Sequence, residues 1–214
     1  MVTRCEILPV DPVSPDEDTI LRAAARIRTG GLVVFPTSSF YGLGTSALDT
    51  AAVDRVFRVK NRDPRKPLLI LIGSLVELSP LVQSAPESGV RLIETFWPGS
   101  LTLVFQASDV LPSNLTGHTG KIGIRLANHA VAASLVRAVG GPITGTSANL
   151  SGHGGCHLVS LLDSHIRNQV DLVLDAGELK GQKVSTVVDV TVDPPRVLRE
   201  GVIDAAQVMQ ALHG

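Results

Sequence analysis

The stretch whose reading decides the fold is Pro36–Pro67, PTSSFYGLGTSALDTAAVDRVFRVKNRDPRKP. The run just before it, Leu32–Phe35, is short and apolar and predicts a buried strand. Thr37, Ser38 and Ser39 then offer hydroxyls, and Gly42 with Gly44 reads as a small-residue turn, since glycine admits backbone conformations closed to other residues. Asp49 or Thr50 caps a helix reaching Arg58, with Val53, Val56 and Phe57 on its buried side. Arg58, Lys60, Arg62, Arg65 and Lys66 stand at its exit, more cations than the helix dipole can use. Hydroxyls and bare amides at a strand end, faced by cations, suit a phosphate-bearing ligand.

Outward from this stretch, helices and strands alternate early and strands cluster late. Ser14-Pro15-Asp16-Glu17-Asp18 predicts a helix start with a capping hydroxyl and a proline in the first turn. Ile20, Ala23, Ala24 and Ile27 give its stripe, and Gly30-Gly31 ends it. Leu68–Ile72, Leu101–Phe105, Ile122–Leu126, Ile143–Thr146, Leu172–Leu174, Thr186–Val190 and Arg196–Leu198 predict strands. Glu87–Phe96, Ala130–Val139 and Asp204–Leu212 predict helices. The expected fold class is α/β, a mixed parallel and antiparallel sheet with helices packed on it. With no repeat, low-complexity tract or linker, a single domain over residues 1–214 is expected.

Composition narrows the function classes. Hydrophobic residues are 44 % and charged residues 18 % of the chain, which excludes a disordered segment. A net charge of −1 argues against bulk polyanion binding, so any nucleic-acid contact is local. Cys5 and Cys156 are too few for a disulfide framework and fit a reducing cytoplasm. No run approaches the roughly 20 apolar residues of a bilayer span, and MVTRCEILPVDP lacks the apolar core of a signal peptide. A cytoplasmic protein without a membrane partner is expected.

Several motifs are weighed and set aside. Gly42-Leu43-Gly44-Thr45-Ser46-Ala47 matches the looser dinucleotide fingerprint, but Thr37–Tyr41 separates it from the strand end, and the next strand supplies no ribose acid. No Walker loop, serine-hydrolase elbow or penicillin-binding set occurs. His153, Cys156 and His157 lack a second ligand pair with zinc spacing, so a Gly-rich loop is read there and no metal site is expected. The loop Gly145–Gly152, GTSANLSG, comes after a strand and presents Ser147 and Asn149 where ligand crevices lie. Arg125 ends the strand Ile122-Gly123-Ile124-Arg125 and suits a carboxylate clamp.

PTSSFYGLG, KNR, KPL, WPGSLTLVF, IGIR, TSANLSG, STVVD and VLREG, in this order, resemble the YrdC-like threonylcarbamoyl-AMP synthase family from about Leu32 to Gly201. The resemblance implies a twisted mixed sheet around one large basic cleft. It implies a nucleotidyltransferase that joins L-threonine, bicarbonate and ATP into threonylcarbamoyl-AMP, releasing pyrophosphate. It further implies Mg²⁺ with the ATP, product use by other proteins of tRNA threonylcarbamoylation, and at most a weak contact with tRNA. The K-x-R and S-x-N positions shared by active members are Lys60, Arg62, Ser147 and Asn149, the implied catalytic group. Thr37, Lys66, Arg125 and Ser185 would hold L-threonine, and Arg58, Arg62, Lys121, Ser147 and Arg199 would hold ATP. Ser38-Ser39 stands where the family usually has an acid and a threonine, Lys121 where a threonine often contacts ATP, and Ser100 where proline is frequent. A non-catalytic RNA- or nucleotide-binding module of this fold, or a related enzyme acting on another amine, is the alternative. The first lacks basic excess and interleaved aromatics.

Overall fold

The ring of Phe35 dictates the sequence of the strand beside it. In the computed structural model, which describes residues 5–181 and 183–213, Tyr41-Gly42-Leu43-Gly44 is not a turn. It is a buried strand paired antiparallel with Val33–Pro36, Phe35 facing Gly42. A Cβ on Gly44 would lie 2.7 Å from Phe35 Cε1 and 3.0 Å from the Thr144 carbonyl oxygen, and one on Gly42 3.1 Å from Phe35 Cζ. The two glycines therefore make room for a ring. The expected glycine turn becomes a hairpin whose tip, Thr37–Phe40, carries the hydroxyls.

Strands and helices are numbered along the chain. One sheet has the spatial order β1 (Glu6–Pro9), β9 (Leu172–Asp175), β2 (Val33–Pro36), β3 (Tyr41–Gly44) and β8 (Thr146–Ser147). The other has the order β11 (Arg196–Arg199), β10 (Thr186–Asp189), β5 (Leu101–Gln106), β6 (Lys121–Leu126), β4 (Leu69–Ile72) and β7 (Ile143–Thr144). Both are mixed, as expected, with parallel pairs such as β2–β9 and β4–β6 beside antiparallel ones such as β5–β6. Two sheets replace the single expected one. The predicted strand Ile143–Thr146 is cut at Gly145, giving β7 to one sheet and β8 to the other. A Cβ on Gly145 would meet Leu71 Cγ at 2.7 Å, so the chain crosses there only as glycine.

The helices obey their apolar stripes. Ile20, Ala23, Ala24 and Ile27 of α1 (Glu17–Arg28) are buried, and Asp16 caps it by accepting from Thr19 N at 2.9 Å. The cap is thus Asp16 and not Ser14, and Pro15 lies outside the helix. Asp49 caps α2 (Thr50–Val59) through Ala52 N at 3.1 Å. The remaining helices are α3 (Glu87–Phe96), α4 (Ala130–Val139), α5 (Ser164–Arg167) and α6 (Ala205–His213). Alternate residues of each sheet serve two cores. Val34, Leu43, Ile70, Ile124 and Phe105 join Phe57 of α2 and Leu92 of α3, whereas Val33, Phe35 and Leu172 join Ile27 of α1 and Leu135 of α4.

Because Phe35 occupies the space of two absent side chains, Gly44→Ala is expected to lower stability by about 1–3 kcal/mol in urea unfolding. Adding Phe35→Leu should restore part of that loss.

Candidate active site

A cavity of about 470 Å³ lies between the β2–β3 hairpin, the Gly145–Ser147 crossing and the open face of the six-stranded sheet. Period-two alternation builds its floor. Thr102 and Val104 of β5, Lys121, Gly123 and Arg125 of β6, and Val187 and Asp189 of β10 face the cavity. Their neighbours Leu101, Leu103, Phe105, Ile122, Ile124 and Val188 face the core. Polar side chains of β5 and β6 fall on the cavity parity, as does Asp189 of β10, whereas Thr186 faces the other way and is satisfied by the Ile203 carbonyl oxygen.

The end of α2 sorts the basic cluster. Asn61 takes φ 47°, Arg62 N donates to Phe57 O at 2.9 Å, and Asn61 N donates to Arg58 O at 3.1 Å. This is a Schellman closure with asparagine in the left-handed position. It sends the side chains on either side of Asn61 to different places. Lys60 turns inward, 2 % exposed, and its ammonium donates to the Ser147 and Asn149 carbonyl oxygens. The Lys60 carbonyl accepts from Ser151 N at 3.0 Å, so the K-x-R and S-x-N segments form one unit. Arg62 reaches the cavity wall, its guanidinium donating to Lys66 O at 3.2 Å and Pro67 O at 2.8 Å.

The other cations go elsewhere. Arg58 and Lys66 are exposed and lie off the cavity wall, and Arg65 pairs with Asp63 at 2.9 Å. Of the five basic residues expected to converge, Arg62 alone lines the cavity. Asn149 also lies off the wall, its amide donating to the Leu150 and His153 carbonyl oxygens. Ser147 is on the wall and exposed. Lys60 and Asn149 thus stand behind the wall and support it.

The remaining expected residues meet on the floor and rim. Thr37 lines the cavity with its hydroxyl donating to Phe40 O at 2.6 Å. Arg199 donates to the Ser185 carbonyl oxygen at 2.9 Å, and the Ser185 and Thr102 hydroxyls lie 3.1 Å apart. Arg125 has no hydrogen bond or ion pair among the described residues, and its Nε is buried and unpartnered. Burial, with the Arg199 charge added, pushes its pKa down to about 10, so it stays a cation at neutral pH. Burial likewise lowers the pKa values of Arg62 and Arg199. Lys121 is on the floor but bound to Asp189 at 2.9 Å. Burial raises the Asp189 carboxyl, but hydrogen bonds from Thr191 and Lys121 outweigh it and hold the pKa below the usual range.

Sequence reasoning missed Thr102, Gly123 and Asp189. Their signal is parity: each sits at even spacing from Ser185 or Arg125 or pairs with such a residue across the sheet. A buried guanidinium without a carboxylate is costly, by several kcal/mol, unless an anion joins it. The geometry therefore suits a ligand with carboxylate or phosphate groups.

Comparison with known proteins agrees. The Sua5/YciO/YrdC family model, described as telomere recombination, matches residues 25–201. A Pyrococcus abyssi protein named threonylcarbamoyl-AMP synthase is 36 % identical over 92 % of this chain, which spans 58 % of that relative's length. A Mycobacterium tuberculosis protein named putative threonylcarbamoyl-AMP synthase is 37 % identical over 90 % of this chain and 88 % of its own. The crystal structure of P. abyssi Sua5 complexed with L-threonine superposes with a TM-score of 0.89 at 36 % identity, covering 96 % of this chain and 60 % of that one.

Lys60 carries a pH signature. Burial, then the Arg62 charge, pushes its pKa down to about 7 from 10.5. The unfolded chain then binds more protons between these values, so the Lys60 contribution to stability improves as pH rises from about 7 towards 10.5. Lys60→Met should abolish that rise, on the order of a few kcal/mol, while leaving the Asn149 carbonyl without its donor at about 1–3 kcal/mol, the Ser147 carbonyl keeping Asn149 N at 2.9 Å. Urea midpoints across this pH range for both proteins check it.

Proposed function

This chain belongs to the Sua5/YciO/YrdC family, and we propose that it is a threonylcarbamoyl-AMP synthase, joining L-threonine, bicarbonate and ATP with release of pyrophosphate. The observation that carries the reading is the set of three guanidiniums, Arg62, Arg125 and Arg199. They face one cavity, and none has a carboxylate partner among the described residues.

The chemistry requires such a set. Bicarbonate dehydrates to carbon dioxide, and the neutral threonine amine attacks its carbon, losing a proton to give an N-carboxylate. One carboxylate oxygen then forms a bond to the α-phosphorus as the bond from that phosphorus to the β-phosphate oxygen breaks. Two anions must approach, so fixed positive charge and positioning supply the catalysis and no side-chain nucleophile is needed. Arg125 holds the threonine carboxylate, with Thr37 and Ser185 beside it and Lys66 at the entrance. Arg62, Arg199 and Ser147 hold the phosphates, with Arg58 outside the wall as a longer-range charge. Lys60 and Asn149 fix the loop that carries Ser147. Mg²⁺ enters on the ATP phosphates as part of the substrate, since Asp189, the one carboxylate on the described wall, is already engaged by Lys121 and Thr191.

The product, a mixed anhydride, passes to proteins that place the threonylcarbamoyl group on tRNA. The site of action is the cytoplasm. No helix among the described residues is long and apolar enough to cross a membrane.

Pyrophosphate release should need threonine, bicarbonate and ATP together. Release that persists without threonine would assign another amine, and none with all three would end the synthase reading. Arg125→Gln should raise the KM for threonine by about tenfold or more, the worth of a charge-assisted hydrogen bond, and change the KM for ATP far less. Equal effects on both would overturn the assignment of Arg125.

A further inference from the structure

The edge strand β11 has β10 as its one sheet neighbour, and the two do not pair in simple register. Val188 pairs with Val197, yet Val187 pairs with Arg199, so Leu198 is an extra residue, a β-bulge. The bulge determines which way Arg199 faces. Val197 packs on the core beside Val188, so strict alternation would turn Leu198 to the cavity and Arg199 away from it. With one residue inserted, Leu198 and Arg199 both line the cavity. The Arg199 guanidinium then donates to the Ser185 carbonyl oxygen, from Nε at 3.2 Å and from Nη2 at 2.9 Å. Side-chain packing does little to hold this register, because Arg196, Leu198 and Arg199 are all exposed.

The register is held from the far side of β10. Thr186 is fully buried and stands on the face of β10 opposite Ser185. Its hydroxyl accepts from Gly201 N at 3.0 Å and from Ile203 N at 3.1 Å, and it donates to the Ile203 carbonyl oxygen. Val202 N donates to Val184 O at 3.0 Å, and a Cβ on Gly201 would lie 2.1 Å from that same oxygen, so backbone meets backbone there. Residues 199–203 thus hook round the start of β10, with Arg199 on Ser185 in the cavity and Gly201 and Ile203 on Thr186 in the interior. We propose that Thr186 is a positioning residue for Arg199: its hydroxyl fixes the chain beyond the bulge and so keeps the guanidinium in the cavity. The inference rests on the role of Arg199 toward ATP proposed above, and Thr186 itself touches no ligand. A short side chain that accepts twice and donates once must be a hydroxyl. Valine has the same shape but leaves the Gly201 and Ile203 amides without that acceptor.

The test is calorimetric ATP affinity for the whole protein, for Thr186→Val, Thr186→Ser and Arg199→Ala, and for Thr186→Val combined with Arg199→Ala. Affinity reports folded molecules alone, so partial misfolding lowers the number of sites and leaves the constant intact. Thr186→Val should weaken ATP binding by about tenfold or more, the worth of a charge-assisted hydrogen bond, and Thr186→Ser should bind as wild type does. Added to Arg199→Ala, Thr186→Val should weaken binding no further, since a residue that acts through Arg199 has nothing left to position. An equal loss in both backgrounds, or full affinity in Thr186→Val, would overturn the proposal. A second readout needs no ligand. The Arg199 Nε–H resonance, assigned by its absence from Arg199→Ala, should exchange with solvent about tenfold faster or more in Thr186→Val and at the wild-type rate in Thr186→Ser. The same rate in all three proteins would sink the proposal. If wild type bound no ATP, the synthase reading would fall, and this resonance would judge Thr186 by itself. If Thr186→Val did not fold, Thr186→Ala, which leaves room for a water to meet both amides, would be read in the same way.

Discussion

The contact on which the site depends is the buried ammonium of Lys60 between the carbonyl oxygens of Ser147 and Asn149. It fastens the end of α2 to the segment where the chain passes from the six-stranded sheet to the five-stranded one. Neither partner can form this contact alone. The carbonyls belong to the two-residue strand β8 and the loop after it, and the ammonium has no carboxylate partner among the described residues. Two carbonyl dipoles replace part of the water it gave up, and the part not replaced, with the Arg62 charge added, pulls its pKa down to about 7. With that clasp in place, Ser147 stands on the wall of the cavity that Arg125 also lines, and the wall has a defined shape.

The cavity holds charge that the fold leaves unbalanced. Burial weakens the hold of Arg125 on its proton, and the neighbouring charge of Arg199 adds to the effect. A protein selected only for stability would place an acid between them, as it does at Lys121. The contrast is informative because both residues belong to one face of one sheet. Arg125 is left without a partner among the described residues, whereas Lys121 on the same face is given Asp189. That difference supports an anionic ligand more strongly than a count of basic residues does.

Much of the scaffold was legible because it is local. Ile20, Ala23, Ala24 and Ile27 declare one face of α1, and Val53, Val56 and Phe57 declare one face of α2. The hairpin strand β3 was not legible, since Tyr41-Gly42-Leu43-Gly44 has two glycines where strands avoid them and its reason is the ring of Phe35 on the paired strand. The break at Gly145 likewise depends on Leu71, and β1 is a short edge strand ending in proline. The site was legible as a set of residue types and poorly legible as directions. Arg62 and Lys60 differ by two positions and part company because Asn61 reverses the backbone. Arg125 and Lys121 share a face, yet only tertiary structure brings Asp189 to one and not the other.

The departures from the family pattern become intelligible at the same level. Ser38 donates to Asn128 Oδ1 at 2.8 Å and Ser39 to the Lys183 carbonyl oxygen at 2.9 Å, so both hydroxyls of the hairpin tip tie it to neighbouring loops. A carboxylate at position 39 would bring an acceptor to the Lys183 carbonyl oxygen, a contact that needs a donor. The two serine hydroxyls thus tie the tip to the segments that carry Asn128 and Lys183. Lys121 obeys a related logic. A threonine there has no charge to offer Asp189, whereas lysine neutralises it within the floor. The two serines and the lysine lie on different elements, and none of them supplies a carboxylate to Arg62, Arg125 or Arg199.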